Sequence, residues 1–377
     1  MMARLGDIAT YINGYAFKPS DWSDTGLPII RIQDLTGNLY QANRYNGEYA
    51  PKYEVNDGDV LISWSASLGI YVWHGEKALL NQHIFKVVFD KTEISKTFFV
   101  HQVENILEKA ASEAHGATMK HLTKPVFDAL PFYLPPIDEQ RKIAAVLDRV
   151  SDLIAKRCQQ LDKLDLLIKS RFVEMFGNFV YDHNMWKTCL VGDVAVTIDP
   201  QPSHRTPPVS ADGIPYVGIA ECNYETKHID FGKARKVGRN VLEEHIGRYT
   251  LEEGDFIIGK IGTIGKPFFV PVEQTYTLSA NTVLIKPIKE KISSQFLFSI
   301  FESEYMDRII DAEKKSTSQP AFGIQKVRKI EIPLPPLDLQ NQFAAFVDQT
   351  EKIRTTINRS LEKLETLKKA MTQEYFK

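Results

Sequence analysis

Two long stretches of the chain repeat apolar residues at every third or fourth position. In the first, Ile143, Leu147, Val150, Ile154, Leu161, Leu164 and Ile168 follow one another, and neither Gly nor Pro stands between Asp138 and Gly177. In the second, Phe343, Phe346, Val347, Ile353, Ile357, Leu361, Leu364 and Leu367 do the same. This is the spacing of one helix face, close to an a/d heptad pattern. Each stretch opens behind a Pro-Pro pair, and Asp138 suits an N-cap. The pattern predicts two helices of about 39 residues, each ~58 Å long at 1.5 Å per residue. A helix with one apolar stripe must bury it, and the other copy is the nearest partner. Arg157 and Arg171 interrupt the first seam. Elsewhere the rhythm is shorter. Runs rich in Val, Ile and Phe, with Gly-Asp or Asn turns nearby, predict strands over 28–33, 59–64, 84–89, 215–219, 255–261 and 282–288. Helices are expected over 95–111 and 293–312. The order is α+β, not a βαβ series.

The pattern occurs twice. Leu134-Pro135-Pro136-Ile137-Asp138-Glu139-Gln140 recurs 200 positions on as Leu334-Pro335-Pro336-Leu337-Asp338-Leu339-Gln340. Without a gap, Leu161, Leu164, Glu174 and Phe176 then match Leu361, Leu364, Glu374 and Phe376. Upstream, Leu5-Gly6-Asp7-Ile8 resembles Val191-Gly192-Asp193-Val194, and Gly58-Asp59-Val60 resembles Gly254-Asp255-Phe256. The offset drifts between these pieces, where loops would lie, and Asn81 is matched to Asn281. The chain therefore divides into a first variable domain (1–134), a central helix (135–176), a second variable domain (177–334) and a C-terminal helix (335–377).

Composition narrows the class. A chain of 377 residues that is 43% hydrophobic and 25% charged is globular and long enough for several domains. No run of eighteen apolar residues and no secretory h-region occurs. The three cysteines, Cys158, Cys189 and Cys222, form no disulfide or metal framework, so a reducing, cytoplasmic setting is expected. A net charge of -2 means that nucleic-acid binding would have to rest on local patches.

No catalytic constellation is visible. Gly259-Lys260-Ile261-Gly262-Thr263-Ile264-Gly265-Lys266 is Gly-rich, but Pro267 stands where a phosphate loop needs Ser or Thr. The residue before each Pro-Pro is Leu, so no polar group is placed as in an amino-methyltransferase motif. The nine histidines are never spaced for zinc, and no metal site is expected.

These residues resemble the specificity (S) subunits of type I restriction–modification systems. The duplicated Leu-Pro-Pro-x-Asp-x-Gln openings carry the likeness. So do Glu174-Met175-Phe176-Gly177 with Trp186 and Val191-Gly192-Asp193-Val194, and the Gly-Asp strands at 58–62 and 254–258. Leu339 departs from the Glu of the first copy. The resemblance spans the chain. It implies two similar target recognition domains, each followed by a long helix, with the helices paired as an antiparallel coiled coil of pseudo-two-fold symmetry. Each domain would read one half of a split, asymmetric target in double-stranded DNA. The helices would dock two methylation subunits that carry S-adenosylmethionine, and motor–nuclease subunits would join for cleavage. The chain itself would bind no cofactor and catalyse nothing. Two other readings remain: the recognition subunit of a type IIB-like system, and a duplicated coiled-coil scaffold that binds no DNA.

Candidate DNA-facing residues follow from type and place. Lys233, Arg235, Lys236 and Arg239 concentrate positive charge in the second half, against Arg44 and Lys52 in the first; a solvated loop is the competing reading. Ser63, Ser65 and Ser67, like Lys260, Thr263 and Lys266, follow the Gly-Asp strands, where a plain hairpin turn competes. Arg31 and Gln33, placed at a strand end, are base-reading types, with an exposed sheet face as the competing reading; Asn81, Gln82 and His83 could also reach bases, but the recurrence of Asn at Asn281 argues instead for a turn role. Thr118, Lys120, His121 and Lys124 precede the first Pro-Pro, as Lys314, Lys315, Ser316, Ser318 and Gln319 precede the second. Ile143, Leu147, Ile154, Leu161 and Leu164, with Phe343, Val347, Ile357, Leu361 and Leu364, are expected to pair the helices and dock partners.

Overall fold

The computed structural model describes residues 1–37, 43–65, 67–113, 123–181, 185–203, 205–224, 226–316 and 322–376. It divides into two compact units, Met1–Gln159 with Asn358–Lys377, and Gln160–Ile357. The division falls inside each long helix rather than at its ends.

Unit 1 begins with β1 (Met2–Arg4), α1 (Leu5–Ile8), β2 (Thr10–Asn13), β3 (Leu27–Ile30) and α2 (Ile32–Leu35). There follow β4 (Arg44–Tyr45), β5 (Glu54–Val55), β6 (Val60–Ser63), β7 (Gly69–Val72), β8 (Ala78–Leu80) and β9 (Ile84–Val88). It closes with α3 (Lys96–Glu113), α4 (Lys124–Asp128), β10 (Pro131–Tyr133) and α5 (Ile137–Phe176), which continues into unit 2. One sheet runs β2-β9-β6-β7, a second β4-β3-β8-β5, and β1 pairs with β10. In the second sheet β3 and β8 are parallel, with Ile29 beside Leu79 and Ile30 beside Leu80. The first sheet packs Val60, Ile62, Phe85 and Val87 on Phe98, Phe99 and Val103 of α3. The same core takes in Ile143, Ala144 and Leu147 from the start of α5 and Phe376 from the end of the chain.

Unit 2 repeats this plan. It contains β11 (Thr188–Leu190), α6 (Val191–Val194), β12 (Ala195–Ile198), β13 (Val209–Val217), β14 (Cys222–Asn223), β15 (His228–Ile229), β16 (Arg235–Val237) and α7 (Arg239–Ile246). These lead to β17 (Phe256–Gly259), β18 (Pro267–Phe269), β19 (Thr277–Leu278) and β20 (Thr282–Pro287). Last come α8 (Ser294–Phe301), α9 (Glu304–Ser316), α10 (Ile324–Arg328), β21 (Glu331–Pro333) and α11 (Leu337–Tyr375), whose C-terminal part belongs to unit 1. The order β12-β20-β17-β18 copies β2-β9-β6-β7, and the parallel pair β13·β19 copies β3·β8. The helix expected over 293–312 is two helices. Ser303 separates them: its hydroxyl donates to the Ile300 carbonyl at 2.6 Å, and its own carbonyl accepts from Met306 and Asp307. A side chain that bonds the preceding turn competes with helix continuation.

The repeated motifs now have physical reasons. Gly58 and Gly254 both adopt positive φ, 85° and 92°, which favours glycine. The following Asp accepts from the backbone three residues earlier, Asn56 to Asp59 at 2.9 Å and Glu252 to Asp255 at 2.8 Å. Burial pushes the Asp255 carboxyl up, although Lys286 lies at 2.5 Å. In the helix-opening motif the glutamine matters. Gln140 is 1% exposed; its amide oxygen accepts from the Ser95 N–H at 2.9 Å and its amide nitrogen donates to the Pro135 carbonyl at 2.8 Å. Gln340 makes the same bonds to Ser293 and Pro335 at the same distances. Each glutamine thus ties the root of a long helix to the start of its domain's own helix. Leu339 costs the second copy nothing here, because the equivalent Glu139 points outward to the Tyr133 hydroxyl.

The helices run antiparallel within each unit. In unit 2, Phe172 and Phe176 near the end of α5 meet Phe343 near the start of α11, with ring centroids 5.4 and 5.6 Å apart. In unit 1, Met371 and Tyr375 pack beside the core that holds the start of α5. Of the predicted stripe, Ile143, Leu147, Phe343, Val347 and Ile357 are buried; Ile154, Leu161, Leu164, Leu361 and Leu364 are half-buried. Ile353 and Leu367 depart from it, at 52% and 47% exposed. Arg354 takes the inward place beside Ile353 and pairs with Asp165 and Glu351. Arg157 likewise lies half-buried on the inward line.

Candidate nucleic-acid interface

In unit 1 backbone hydrogen bonds gather four loop segments at one end of the sheets. Tyr15 donates to Leu80 at 2.9 Å, Gln82 to Tyr15 at 2.8 Å, Asn81 to Ile30 at 3.2 Å and Trp64 to His83 at 3.2 Å. Arg31, Gln33, Ser63, Ser65, Ser67 and residues 81–83 are therefore neighbours. Their side chains are not equally available. Ser63 is fully buried and its hydroxyl bonds the Ser67 and Gly69 carbonyls. Ser65 is 5% exposed, whereas Ser67 is exposed. The strand expected to reach residue 33 stops at Ile30. Arg31 caps α2 and lies 3.5 Å from Asp34, and Gln33 sits within that short helix, half-buried. Arg44 stands toward the other end of β3, where its guanidinium donates to the Gly26 carbonyl at 2.8 Å and to Glu76 at 2.7 Å. Lys124, on α4, pairs with Asp128 at 2.8 Å.

Unit 2 forms the corresponding end from other chemistry. Ser279 donates to Val217, Lys260 to Asn281, and Phe322 to Lys260. The bonding of Asn81 to Ile30 is thus copied by Ser279 to Val217, and that of Trp64 to His83 by Lys260 to Asn281. Asn281 takes the place of His83, not of Asn81, which corrects the match made on sequence. Lys260 departs most from a DNA-facing role: it is 7% exposed, and its ammonium lies 2.6 Å from Asp199 and 2.9 Å from the Ala280 carbonyl. The equivalent slot in unit 1 holds Trp64, whose indole donates to Asn13 at 3.2 Å. Thr263 and Lys266 are exposed on the same loop, with the Lys266 ammonium 4.0 Å from the Tyr224 ring centroid.

The basic run of unit 2 lies on β16 and the start of α7. Lys233 is 80% exposed and meets Asp230 at 3.0 Å, and Arg235 donates to the Pro207 carbonyl. Lys236 and Arg239 are exposed and have no ion-pair partner among the described residues. Lys314 pairs with Asp311 at 3.2 Å. Thr118, Lys120, His121, Ser318 and Gln319 lie outside the described residues, as do the side chains of Lys315 and Ser316.

One group escaped the reading of the sequence. Tyr15, Phe17, Tyr45 and Tyr53 form a chain of edge contacts at 4.9 to 5.6 Å in unit 1, with Lys52 over Tyr53 and Tyr15 44% exposed. The density of aromatic residues between Tyr11 and Tyr53 was the signal available. Aromatic faces beside cations suit contact with bases and sugars.

Comparison with known proteins fits this arrangement. A family model described as the type I restriction modification DNA specificity domain matches residues 1–166 and 185–368. The EcoBI specificity subunit of Escherichia coli is 22% identical, over 99% of this chain and 84% of its own length. The MjaVIII specificity subunit of Methanocaldococcus jannaschii is 23% identical, over 98% and 90%. The crystal structure of a type I system S subunit from M. genitalium superposes with a TM-score of 0.59 at 12% identity, covering 100% of this chain and 96% of that one. A type I system structure concerned with complex assembly and conformational transition gives 0.55 at 16% identity, covering 99% and 96%.

Proposed function

The chain belongs to the type I restriction–modification DNA specificity family, and on that premise we propose that each unit reads one half of an asymmetric, two-part DNA target. The observation that carries this reading is one scaffold used twice with different loop ends. The strand order and the parallel pair recur, while Trp64 with Asn13 is replaced by Lys260 with Asp199. A true duplicate would suit a palindrome; two unlike readers suit an asymmetric site. Phosphate contact falls to exposed cations without partners, Lys236 and Arg239 first, and base contact to the loop ends. The chain carries no chemistry in this reading. It docks two methylation subunits, which hold S-adenosylmethionine, and motor–nuclease subunits, all within the cytoplasm. The test is to replace residues 190–316 with another recognition domain and select methylated sites in the reconstituted complex. One half of the target should change and the other persist; change in both halves, or in neither, refutes separate reading.

A further inference from the structure

We propose that Lys227 is a positioning residue for the second half-site: it braces the β14–β15 hairpin on the paired helices of unit 2, and the hairpin in turn holds the glycine-rich loop of residues 260–266. The inference rests on the reading of unit 2 as a half-site reader and adds to it what keeps that reader in place.

The hairpin is short. Cys222 pairs with Ile229 and Asn223 with His228, and the Asn223 amide oxygen accepts from the Thr226 N–H at 3.0 Å. Lys227, directly before β15, has a φ of 56°, in the left-handed region. Glycine takes that conformation freely and asparagine tolerates it, so a lysine there calls for a reason. Its ammonium supplies one, at 2.6 Å from a Glu351 carboxylate oxygen on α11. The other oxygen of Glu351 lies 3.2 Å from the Arg354 guanidinium, which also pairs with Asp165 on α5. The hairpin is thereby tied to both long helices. The Lys227 side chain is 52% exposed, and an ion pair so open adds little to stability. What it fixes is where the hairpin sits on the helices.

The other end of the brace is Tyr224. Its hydroxyl donates to the Lys266 carbonyl at 3.2 Å, its ring lies 4.0 Å from the Lys266 ammonium, and the same ring meets Phe268 of β18 edge-on at 5.4 Å. Lys266 closes the glycine-rich loop, which turns through Gly262 and Gly265 at φ of 73° and 74°. A line of contacts thus runs from the helix pair through Glu351, Lys227 and Tyr224 to a loop at the candidate DNA face. Unit 1 does not repeat the acceptor. On α5 the residues 200 positions earlier are Ser151 and Ile154, in place of Glu351 and Arg354, and neither carries a charge. The brace therefore serves the second half-site alone.

The test uses the full chain with the methylation subunit of its own system. Methylation rates are measured on duplexes with a single mismatch in either half-site, and duplex affinity is measured against salt. Lys227→Gly keeps the turn and removes the ammonium; Lys227→Arg keeps charge and reach. Lys227→Gly should lose about tenfold of the discrimination against mismatches in the second half-site, a loss on the scale of one mismatched base pair, and none in the first. Its urea midpoint for unit 2 and its salt slope should stay at the wild-type values. Lys227→Arg should restore discrimination, and Tyr224→Phe should repeat the loss in weaker form, again in the second half only. Wild-type discrimination in Lys227→Gly would overturn the proposal. So would an equal loss in both halves, a lowered urea midpoint or a failure of Lys227→Arg to rescue, each of which would leave Lys227 with no positioning role. A salt slope lowered by about 1 would also overturn it, by assigning the ammonium to a phosphate. If mismatches in neither half-site affect the wild-type protein, the half-site reading itself fails.

Discussion

Lys260 separates two roles that a basic residue in a glycine-rich loop can play. Its ammonium sits 2.6 Å from an Asp199 carboxylate oxygen, and the two side chains are 9% and 14% exposed. In Lys260→Met the carboxylate stays desolvated, with the Gln201 N–H still donating to it at 3.2 Å. Breaking a buried pair from one side costs about 3–5 kcal/mol, because the other charge is left uncompensated. For a domain of about 200 residues, ~2–4 °C per kcal/mol gives a drop in Tm of roughly 6–20 °C. Lys260→Met/Asp199→Leu should recover most of this, since replacing both partners by apolar groups of similar volume is often neutral. Urea unfolding, read by limited proteolysis so that the two units can be told apart, measures the cost. Duplex affinity against salt is measured on the same samples. A structural lysine loses stability and leaves the salt slope unchanged. A phosphate-binding lysine keeps stability and lowers the slope by about 1. A stability loss under about 1 kcal/mol with a reduced slope would refute the buried-pair account and return Lys260 to the DNA face.

Lys236→Ala/Arg239→Ala should weaken binding to all duplexes alike and lower the salt slope by about 2, measured by fluorescence anisotropy; loss confined to one sequence would contradict phosphate contact. His245 is buried between Thr277 and Gln201, and burial holds its pKa below the ordinary value. The unfolded chain therefore binds the extra proton first, so unit 2 is at full stability above about pH 6.5 and loses it as pH falls below that value. Melting from pH 8 to pH 5 should show this fall, and His245→Gln should flatten it; equal slopes would remove His245 as the cause. Four residues inserted after Gln160 should lengthen α5 by ~6 Å and widen the unspecified gap between half-sites by one or two base pairs of ~3.4 Å, read by site selection. An active insertion protein with the original gap would show that the helix does not set spacing.

Local rules made much of the scaffold readable. Gly58 and Gly254 announce a turn that needs positive φ, and the heptad line from Ile143 to Ile168 announces a long helix whose partner is its own repeat. Where the sequence misled, one cause was a local side-chain bond and the others were tertiary choices. Ser303 divides a continuous apolar pattern into two helices. Ile353 turns outward because Arg354 faces Asp165 across the seam. The parallel pairing of β3 with β8 was hidden, since partners far apart in sequence carry no mark of strand order.

The candidate interface was less readable for a related reason. A cation's type and loop position are local, but whether it is spent depends on which acid or carbonyl the fold brings to it. Arg44 on a short strand and Lys260 at the head of a glycine-rich loop are cations of types that suit DNA contact, yet Gly26 and Glu76 occupy the first and Asp199 the second. Lys236 and Arg239 have no ion-pair partner among the described residues, with no stronger sequence signal. The slot of Trp64 and Lys260 shows the same logic between units. Backbone bonds at the two places are alike, so the scaffold tolerates an indole–amide pair or an ammonium–carboxylate pair without changing strand order. A fold that holds loop ends by main-chain bonds leaves their side chains open to exchange. That freedom is what two readers of different half-sites require.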